Sequence, residues 1–266
     1  MQSMRAAGWD NEDDVGVVNR MALVLETFGP EDRTLGVSAL ARRTGLSKST
    51  VHRLVQQLQS VGFLERDGTQ ARLGLRLFEL GQLVTTQRTL REVATPFMAD
   101  LREATRQTVH LAILVGRQVL YIEILESANA PRFGSRVGGR LPAHATAVGK
   151  AILANSPQAT IGNVLTERLS RVGPRTITVP NMLHRQLARA REEGFCLEYE
   201  ESGVGVACVA APIIGADGVV GAMSVSGWGS KMDLKRLAPA VQTASLGVTR
   251  SLRRVILEND ERQCPS

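Results

Sequence analysis

Aromatic residues are scarce in this chain. Phe, Tyr and Trp make up 4% of its 266 residues, so any core must be filled by Leu, Val, Ile and Ala. Cysteine is scarcer still. Cys196, Cys208 and Cys264 are an odd number at wide spacing, which excludes a disulfide framework and a zinc-ligand pattern. His52, His110, His144 and His184 are equally scattered, so neither a metal site nor a cofactor is expected. No apolar run approaches the length needed to span a bilayer. The first residues, with Asp10, Glu12, Asp13 and Asp14, lack the apolar stretch of a signal peptide. The expected location is a reducing cytoplasm, with no membrane partner.

What remains is an ordinary folding composition. Hydrophobic residues are 43% and charged residues 22%, and the length suits two domains. The formal net charge is +6, which agrees with a polyanionic partner without requiring one. Between residues 15 and 90, ten Arg and Lys stand against six Asp and Glu. Much of the positive excess is therefore in the N-terminal third.

That third contains the stretch around which the chain is organised. Val51, Leu54, Val55, Leu58 and Val61 recur at helical spacing and form one apolar stripe. Ser49, His52, Arg53, Gln56 and Ser60 fall opposite, all able to hydrogen-bond to phosphates or base edges and none acidic. Ser47 is a candidate N-cap and Gly62 a stop signal. Upstream, Val37 to Thr44 is a shorter helical run ending at Gly45. Two short helices joined by a Gly-containing turn read as a helix-turn-helix. A capped amphipathic helix on a core would look the same in isolation, so its surroundings decide.

Those surroundings are consistent. Residues 1–14 carry no periodic pattern and are expected to form a disordered tail. Val17, Met21, Val24, Leu25 and Phe28 trace a first helix ending at Gly29-Pro30, and Leu35 begins a short extended piece. After the second long helix, 63–66 and 71–74 flank the turn Asp67-Gly68-Thr69-Gln70, a hairpin signal that in this position reads as a wing. Arg66 and Arg72 flank its turn and could reach phosphates or a minor groove; the alternative is solubilising surface charge. Leu75, Phe78, Leu83 and Val84 mark a short apolar helix to about 85, suited to packing on a copy of itself. A further helical run spans 88–105, with Pro96 predicting a kink or a break.

The pattern changes at Val109. Residues 109–115 and 119–125 read as strands around Gly116-Arg117-Gln118, and 132–137 as another strand. Helices are expected over 144–155, 158–169, 181–193 and 234–257, and strands over 206–214 and 219–226 around Gly215-Ala216-Asp217-Gly218. This order implies an α+β domain with an antiparallel sheet.

Most apparent catalytic motifs fail on inspection. Gly149-Lys150 lacks the earlier Gly and the following Ser or Thr of a phosphate loop. Gly203-Val204-Gly205 lacks the third Gly and the helix of a dinucleotide fingerprint. Cys208 lies in an apolar run with no neighbouring base, the setting of an inert thiol. Glu198, Glu200 and Glu201 look as much like solvated surface as like a catalytic pair, and no Ser-His-Asp set has a supporting elbow. The second domain thus reads as a binder. Thr146-Ala147-Val148-Gly149 opens a helix, whose N-terminus favours anions, and Ser224 and Ser226 lie on one side of a strand. Together they could line a cavity for a small organic acid, or simply permit close helix–sheet packing.

Four blocks in order resemble the IclR family of bacterial transcriptional regulators, over about 15 to 258. The first is the helix-turn-helix run from Leu40-Ala41-Arg42-Arg43-Thr44-Gly45 through Ser47-Lys48-Ser49-Thr50-Val51-His52-Arg53-Leu54. The second is Gly139-Arg140-Leu141-Pro142-Ala143-His144-Ala145-Thr146-Ala147-Val148-Gly149-Lys150-Ala151. The third runs from Gly194-Phe195 through Glu200-Glu201 to Gly205. The last is Cys208-Val209-Ala210-Ala211-Pro212 with Ser224-Val225-Ser226-Gly227.

The resemblance implies a winged helix-turn-helix over 15–74, a linker and dimerisation helix over 75–90, and a GAF-like effector domain over 91–266. It implies homodimers or dimers of dimers on operator DNA. By position, the effector pocket would involve Ala147, Val148, Glu198, Cys208, Ser224 and Ser226. Two departures stand out: Ala71 where the wing usually carries an aromatic, which predicts looser strand packing, and Glu198 where Asp is frequent, which predicts a narrower pocket.

The expected function is operator-specific regulation, with repression the expected mode, controlled by an organic or aromatic acid. The DNA-contacting set is Lys48, Ser49, Thr50, His52, Arg53, Gln56, Arg66 and Arg72, with Arg53 reading guanine. Two alternatives remain: a small-molecule enzyme using Cys208 or His144 behind a nucleic-acid anchor, and a dimerisation scaffold that senses nothing.

Overall fold

The computed structural model describes residues 16–128 and 134–263. The tail expected over 1–14, and Cys264, lie outside the described residues. The chain divides into two compact units between Thr85 and Thr86.

The first unit begins with helices α1 (Val17–Glu26), α2 (Val37–Thr44) and α3 (Lys48–Ser60). Gly45, in the left-handed region at φ 82°, ends α2, a conformation that costs glycine little. Ser47 starts α3: its Oγ accepts from the Thr50 N–H at 3.1 Å. Val51, Leu54, Val55 and Leu58 are buried against Leu23, Val24, Phe28 and Leu40. Each such side chain contributes roughly 1.5–3 kcal/mol of transfer free energy. Two sequence expectations shift. Val61 is 46% exposed, because α3 ends at Ser60 and the stripe stops one turn early. In α1, Leu23 joins Val24 in the core with Met21 and Leu25 packed against it, while Val17 is exposed.

The hairpin follows as β1 (Leu64–Asp67) and β2 (Gln70–Leu73), antiparallel with Glu65 opposite Arg72. Gly68 adopts φ 60° in its turn. Leu35 adds a third rung: it exchanges backbone hydrogen bonds with Ala71 at 2.8 and 2.9 Å. Ala71 is buried, so the small side chain is compensated by close backbone pairing. Helix α4 (Leu75–Gln82) closes the unit, with Leu75, Phe78 and Leu80 exposed.

The second unit opens with α5 (Thr85–Thr105), unbroken through Pro96. The span 75–90 therefore contains α4 and the first turns of α5, with Leu83 and Val84 between them. Strands β3 (Thr108–Val115), β4 (Gln118–Leu125), β5 (Arg140–Pro142), β6 (Cys196–Tyr199), β7 (Val206–Ile214) and β8 (Val219–Trp228) form one antiparallel sheet in the order β5-β4-β3-β8-β7-β6. Its helices are α6 (Ala147–Ala154), α7 (Gln158–Leu165), α8 (Pro180–Glu193) and α9 (Leu234–Gln263). Both sheet faces are covered, and the period of two sorts the side chains. Ala207, Val209, Ala211, Met223 and Val225 join Leu90, Met98, Val241 and Val248 of α5 and α9. Cys208, Ala210 and Ala222 point the other way, toward Val148, Ile152, Leu183 and Leu187 of α6 and α8.

Three sequence expectations are corrected here. Residues 134–137 form no strand (132 and 133 lie outside the described residues). Instead the Gly138 N–H donates to the Tyr121 carbonyl and the Tyr121 N–H to that of Gly139, which leads the chain into β5. The helix expected from 144 starts at Ala147 after a short 3-10 turn, Ala143–Ala145. The helix expected to 169 stops at Leu165.

Candidate functional site

Two surfaces gather the candidate residues, one in each unit. On α3, Lys48, Ser49, His52, Arg53 and Gln56 are exposed, while Thr50 is half-buried. The Ser47 hydroxyl donates to Thr50 Oγ1 at 2.9 Å and lies 3.0 Å from Ser49 Oγ. The first turn of α3 is thus a hydroxyl cluster in which Ser47 Oγ satisfies the Thr50 N–H. No acidic residue is in that turn, so its partial positive charge is not offset there.

The hairpin arginines differ. Arg66 Nε donates to the Gly68 carbonyl at 2.9 Å and remains exposed. Arg72 is held by Glu65, with Nη2 and Nε donating to Oε2 at 2.8 and 3.0 Å. Glu65 Oε1 in turn accepts from the Leu75 N–H. That backbone bond, followed by Arg72, lowers the Glu65 carboxyl below its usual range. Arg72 is therefore a partly neutralised cation. Upstream, Asp32 is lowered likewise by its hydrogen bond from Arg43.

The second surface is an interior cavity of about 140 Å³ between β-sheet and α6. Ala147, Val148, Glu198, Cys208, Ser224 and Ser226 all line it. The register explains the grouping: Ser224 pairs with Ala210, Ser226 with Cys208, and Cys208 with Glu198 across three strands. Thr146 Oγ1 accepts from the Gly149 N–H at 3.1 Å and starts α6. A Cβ at Gly149 would run into the Ala143 backbone, so the glycine lets α6 begin hard against the 3-10 turn. The first turn of α6 faces the cavity through Thr146, Ala147 and Val148.

Sequence reasoning missed the polar chain opposite. His110 pairs with Ser224 across β3 and β8. Its Nε2 is 2.9 Å from Ser135 Oγ and its Nδ1 3.3 Å from Ser226 Oγ, which is 2.9 Å from Cys208 Sγ. Tyr121 packs on the His110 ring at 5.4 Å between centroids. His110 shares parity with the serines, but parity means nothing until the strand pairing is known.

The electrostatics of this cavity disfavour catalysis. Burial lowers His110 to about 4 and raises the Cys208 thiol to about 12, so at neutral pH neither an effective base nor a thiolate is present. Glu198 is 1% exposed and is raised by burial to about 7. Its Oε1 accepts from the Glu201 and Ser202 N–H groups at 2.6 and 2.9 Å. Glu198 and Glu201 are both buried, which rules out the solvated-surface alternative for these two; Glu200 is half-buried. No Lys or Arg is among the described lining residues. Among the described residues there is no cluster of three or more His, Cys, Asp or Glu placed for a metal, and no helix long and apolar enough to cross a membrane.

A winged helix-turn-helix unit followed by a sheet domain with a small polar cavity defines a class: DNA-binding transcriptional regulators with a ligand domain. Comparison with known proteins narrows it. The model of the IclR helix-turn-helix domain matches residues 17–68, and that of the bacterial transcriptional regulator IclR C-terminal domain matches 82–250. The chain belongs to the IclR family of bacterial transcriptional regulators, which are not enzymes.

Among its relatives, the HTH-type transcriptional regulator XynR of Escherichia coli K12 is 36% identical over 243 residues, covering 88% of this chain and 96% of XynR. The HTH-type transcriptional repressor AllR of Salmonella typhi is 34% identical over 219 residues, covering 81% and 80%. Among solved structures, an IclR homolog from Microbacterium hydrocarbonoxydans complexed with 4-hydroxybenzoate is similar at TM-score 0.84 and 33% identity, covering 90% of this chain and 100% of that one. The Thermotoga maritima IclR is similar at TM-score 0.74 and 27% identity, covering 88% and 98%.

Proposed function

We propose that this chain is an operator-specific repressor in the cytoplasm, released or recruited by a small organic or aromatic acid held in the cavity of its second unit. The observation that carries the DNA half is the outer face of α3: exposed, free of acid, and backed by a fully buried apolar stripe. In this reading α3 enters the major groove. Arg53 forms a bidentate contact to a guanine edge, with His52, Gln56 and Ser49 on neighbouring bases or backbone. Lys48 and Arg66 bind phosphates. Thr50 contributes through the capping cluster, and Arg72 only after leaving Glu65. One such face is small, so two half-sites read by a homodimer or dimer of dimers are needed for useful affinity.

Support for the ligand half comes from the six residues converging on one cavity and from the relative that holds 4-hydroxybenzoate. An acid would place its carboxylate toward the first turn of α6 and the Ser224 and Ser226 hydroxyls. Glu198, close by and without a cation in the lining, accommodates an anion only in its protonated form.

Arg53→Ala is expected to lose operator-specific binding in a gel-shift series while keeping its fold and assembly. A guanine contact is worth about 1–3 kcal/mol, a shift of roughly five- to 150-fold. Unchanged operator affinity would remove Arg53 from the interface. The double variant Ser224→Ala/Ser226→Ala is expected to blunt the response to acids in a thermal-shift and gel-shift screen, leaving DNA affinity without ligand intact. Equal responses of both proteins would place the sensor elsewhere.

A further inference from the structure

Among the described residues, the largest fully buried side chain is that of a lysine. Lys150 lies on α6 with 0% exposure. Its Nζ reaches three acceptors: Glu201 Oε1 at 2.5 Å, Gln186 Oε1 of α8 at 3.0 Å, and the Leu197 carbonyl of β6 at 3.2 Å. Three acceptors match the three N–H groups of an ammonium. The site lies behind the cavity wall; Lys150 is not among the residues that line the cavity.

Glu201 belongs to the connection from β6 to β7. Its N–H donates to Glu198 Oε1 at 2.6 Å and its carbonyl accepts from Thr176 Oγ1 at 2.6 Å. The next residues, Ser202, Gly203 and Val204, line the cavity, yet Val204 is 79% exposed. This segment is therefore the wall between cavity and solvent. Left-handed residues bound it, Glu200 at φ 53° and Gly205 at φ 73°, and they are joined at its base by the Gly205 N–H donating to Glu200 Oε1 at 2.9 Å.

We propose that Lys150 is a positioning residue for the ligand cavity: its ammonium ties Glu201 to α6 and α8, and so fixes the 201–204 segment across the cavity mouth. This rests on the reading of the cavity as the ligand site. Stability gives little reason for the pair. Burying two charges costs several kcal/mol of desolvation, and apolar side chains of similar volume do as well or better. Glu201 Oε2 is buried without a hydrogen-bond partner, so the pair is not optimised for energy. An apolar replacement cannot supply a directed bond between α6, which carries the cavity-facing Ala147 and Val148, and the segment opposite them. The tie sets the spacing of two cavity walls.

Removing Lys150 alone would leave a carboxylate buried and uncompensated, so the test uses the paired variant Lys150→Met/Glu201→Gln, which removes both charges at similar volume. Opening of the mouth is read from the labelling rate of Cys208, a lining residue, by N-ethylmaleimide. Labelling is located by peptide mass spectrometry, with amide exchange of β3 and β8 as the record of global opening. The expected result is Cys208 labelling at least roughly tenfold faster, the change for loss of a charge-assisted hydrogen bond from the closed state. The melting temperature and the exchange of β3 and β8 should stay at parent values. Parent-rate labelling in the folded variant overturns the proposal. So does faster labelling matched by faster exchange of the sheet, which would mean a structural role only. The assay reports on the segment and needs no ligand, so its failure is distinct from failure of the ligand reading, which the serine variants test.

Discussion

Replacing Glu198 by Gln should change how the stability of the second unit depends on pH. Burial raises this carboxyl from 4.5 to about 7, which corresponds to about 3 kcal/mol against the ionised form. Below pH 4 the group is protonated in both folded and unfolded chains. As pH rises through the window between about 4.5 and 7, the unfolded chain releases the proton and the folded chain keeps it. Glu198 therefore withdraws up to about 3 kcal/mol of stability across that window, and the loss is complete above it.

His110 acts in the opposite sense. Its value falls from 6.5 to about 4, so between those limits the unfolded chain binds a proton that the folded chain refuses. Stability then rises with pH by a similar amount. His144, also lowered by burial, adds in the same direction. The parent protein should consequently hide the falling Glu198 slope from about pH 4.5 to 6.5 behind the opposed His110 slope, with His144 leaving a net rise. The amide introduced by Glu198→Gln can keep a carbonyl oxygen to accept from the Glu201 and Ser202 N–H groups while losing the titration. Urea melts of parent and variant, followed by Trp228 fluorescence in a Trp9→Phe background, would give the difference in stability at each pH. That difference should grow in favour of Glu198→Gln by about 3 kcal/mol between pH 4.5 and 7.5, and the histidine contributions cancel from it. A difference that stays constant with pH would refute the burial argument for Glu198.

Two further outcomes concern the first unit. Leu54 is 1% exposed in the three-helix core, so Leu54→Ala should cost about 2–5 kcal/mol and lower the melting transition of that unit in calorimetry. Ser47→Ala removes the oxygen that accepts the Thr50 N–H and should cost about 1 kcal/mol, seen as a smaller shift of the same transition. A shift as large as that of Leu54→Ala would mean that the Ser47 cluster does more than cap α3.

The first unit is legible from sequence because its signals are local. Ser47, the stripe from Val51 to Leu58, Gly45 and the Asp67-Gly68 turn each act within a few residues, and period and capping find them. The cavity is different. Ser224 and Ser226 share a face by parity alone, but His110 joins them only through the pairing of β3 with β8. Glu198 joins only through the pairing of β6 with β7. The pocket positions carried over by family resemblance converge on this cavity, whereas reading the residues alone favours close helix–sheet packing. Lys150 and Glu201, 51 positions apart, carry no local mark at all. Gly149-Lys150 looks like a failed phosphate loop, and the lysine's actual partners come from α8, β6 and the β6–β7 connection.

The interior of the second unit is costly in ways that a purely structural core would avoid. It keeps Glu198 at a raised value, His110 neutral, and an ion pair with an orphaned oxygen at Glu201. Its sheet face combines Cys208, Ser224 and Ser226 in place of branched aliphatic residues, and so leaves a cavity where close packing would leave none. The opposite sheet face, where Leu111, Val209 and Met223 pack with Met98 of α5 and Val241 of α9, shows that the same strands can pack densely. Since both faces belong to the same strands, overall composition cannot explain the contrast. It follows the parity of the side chains, and the polar parity is the one that faces α6. Selection for stability alone would fill that side with Val and Leu. A cavity kept open and polar against that gradient is what a ligand-binding wall requires.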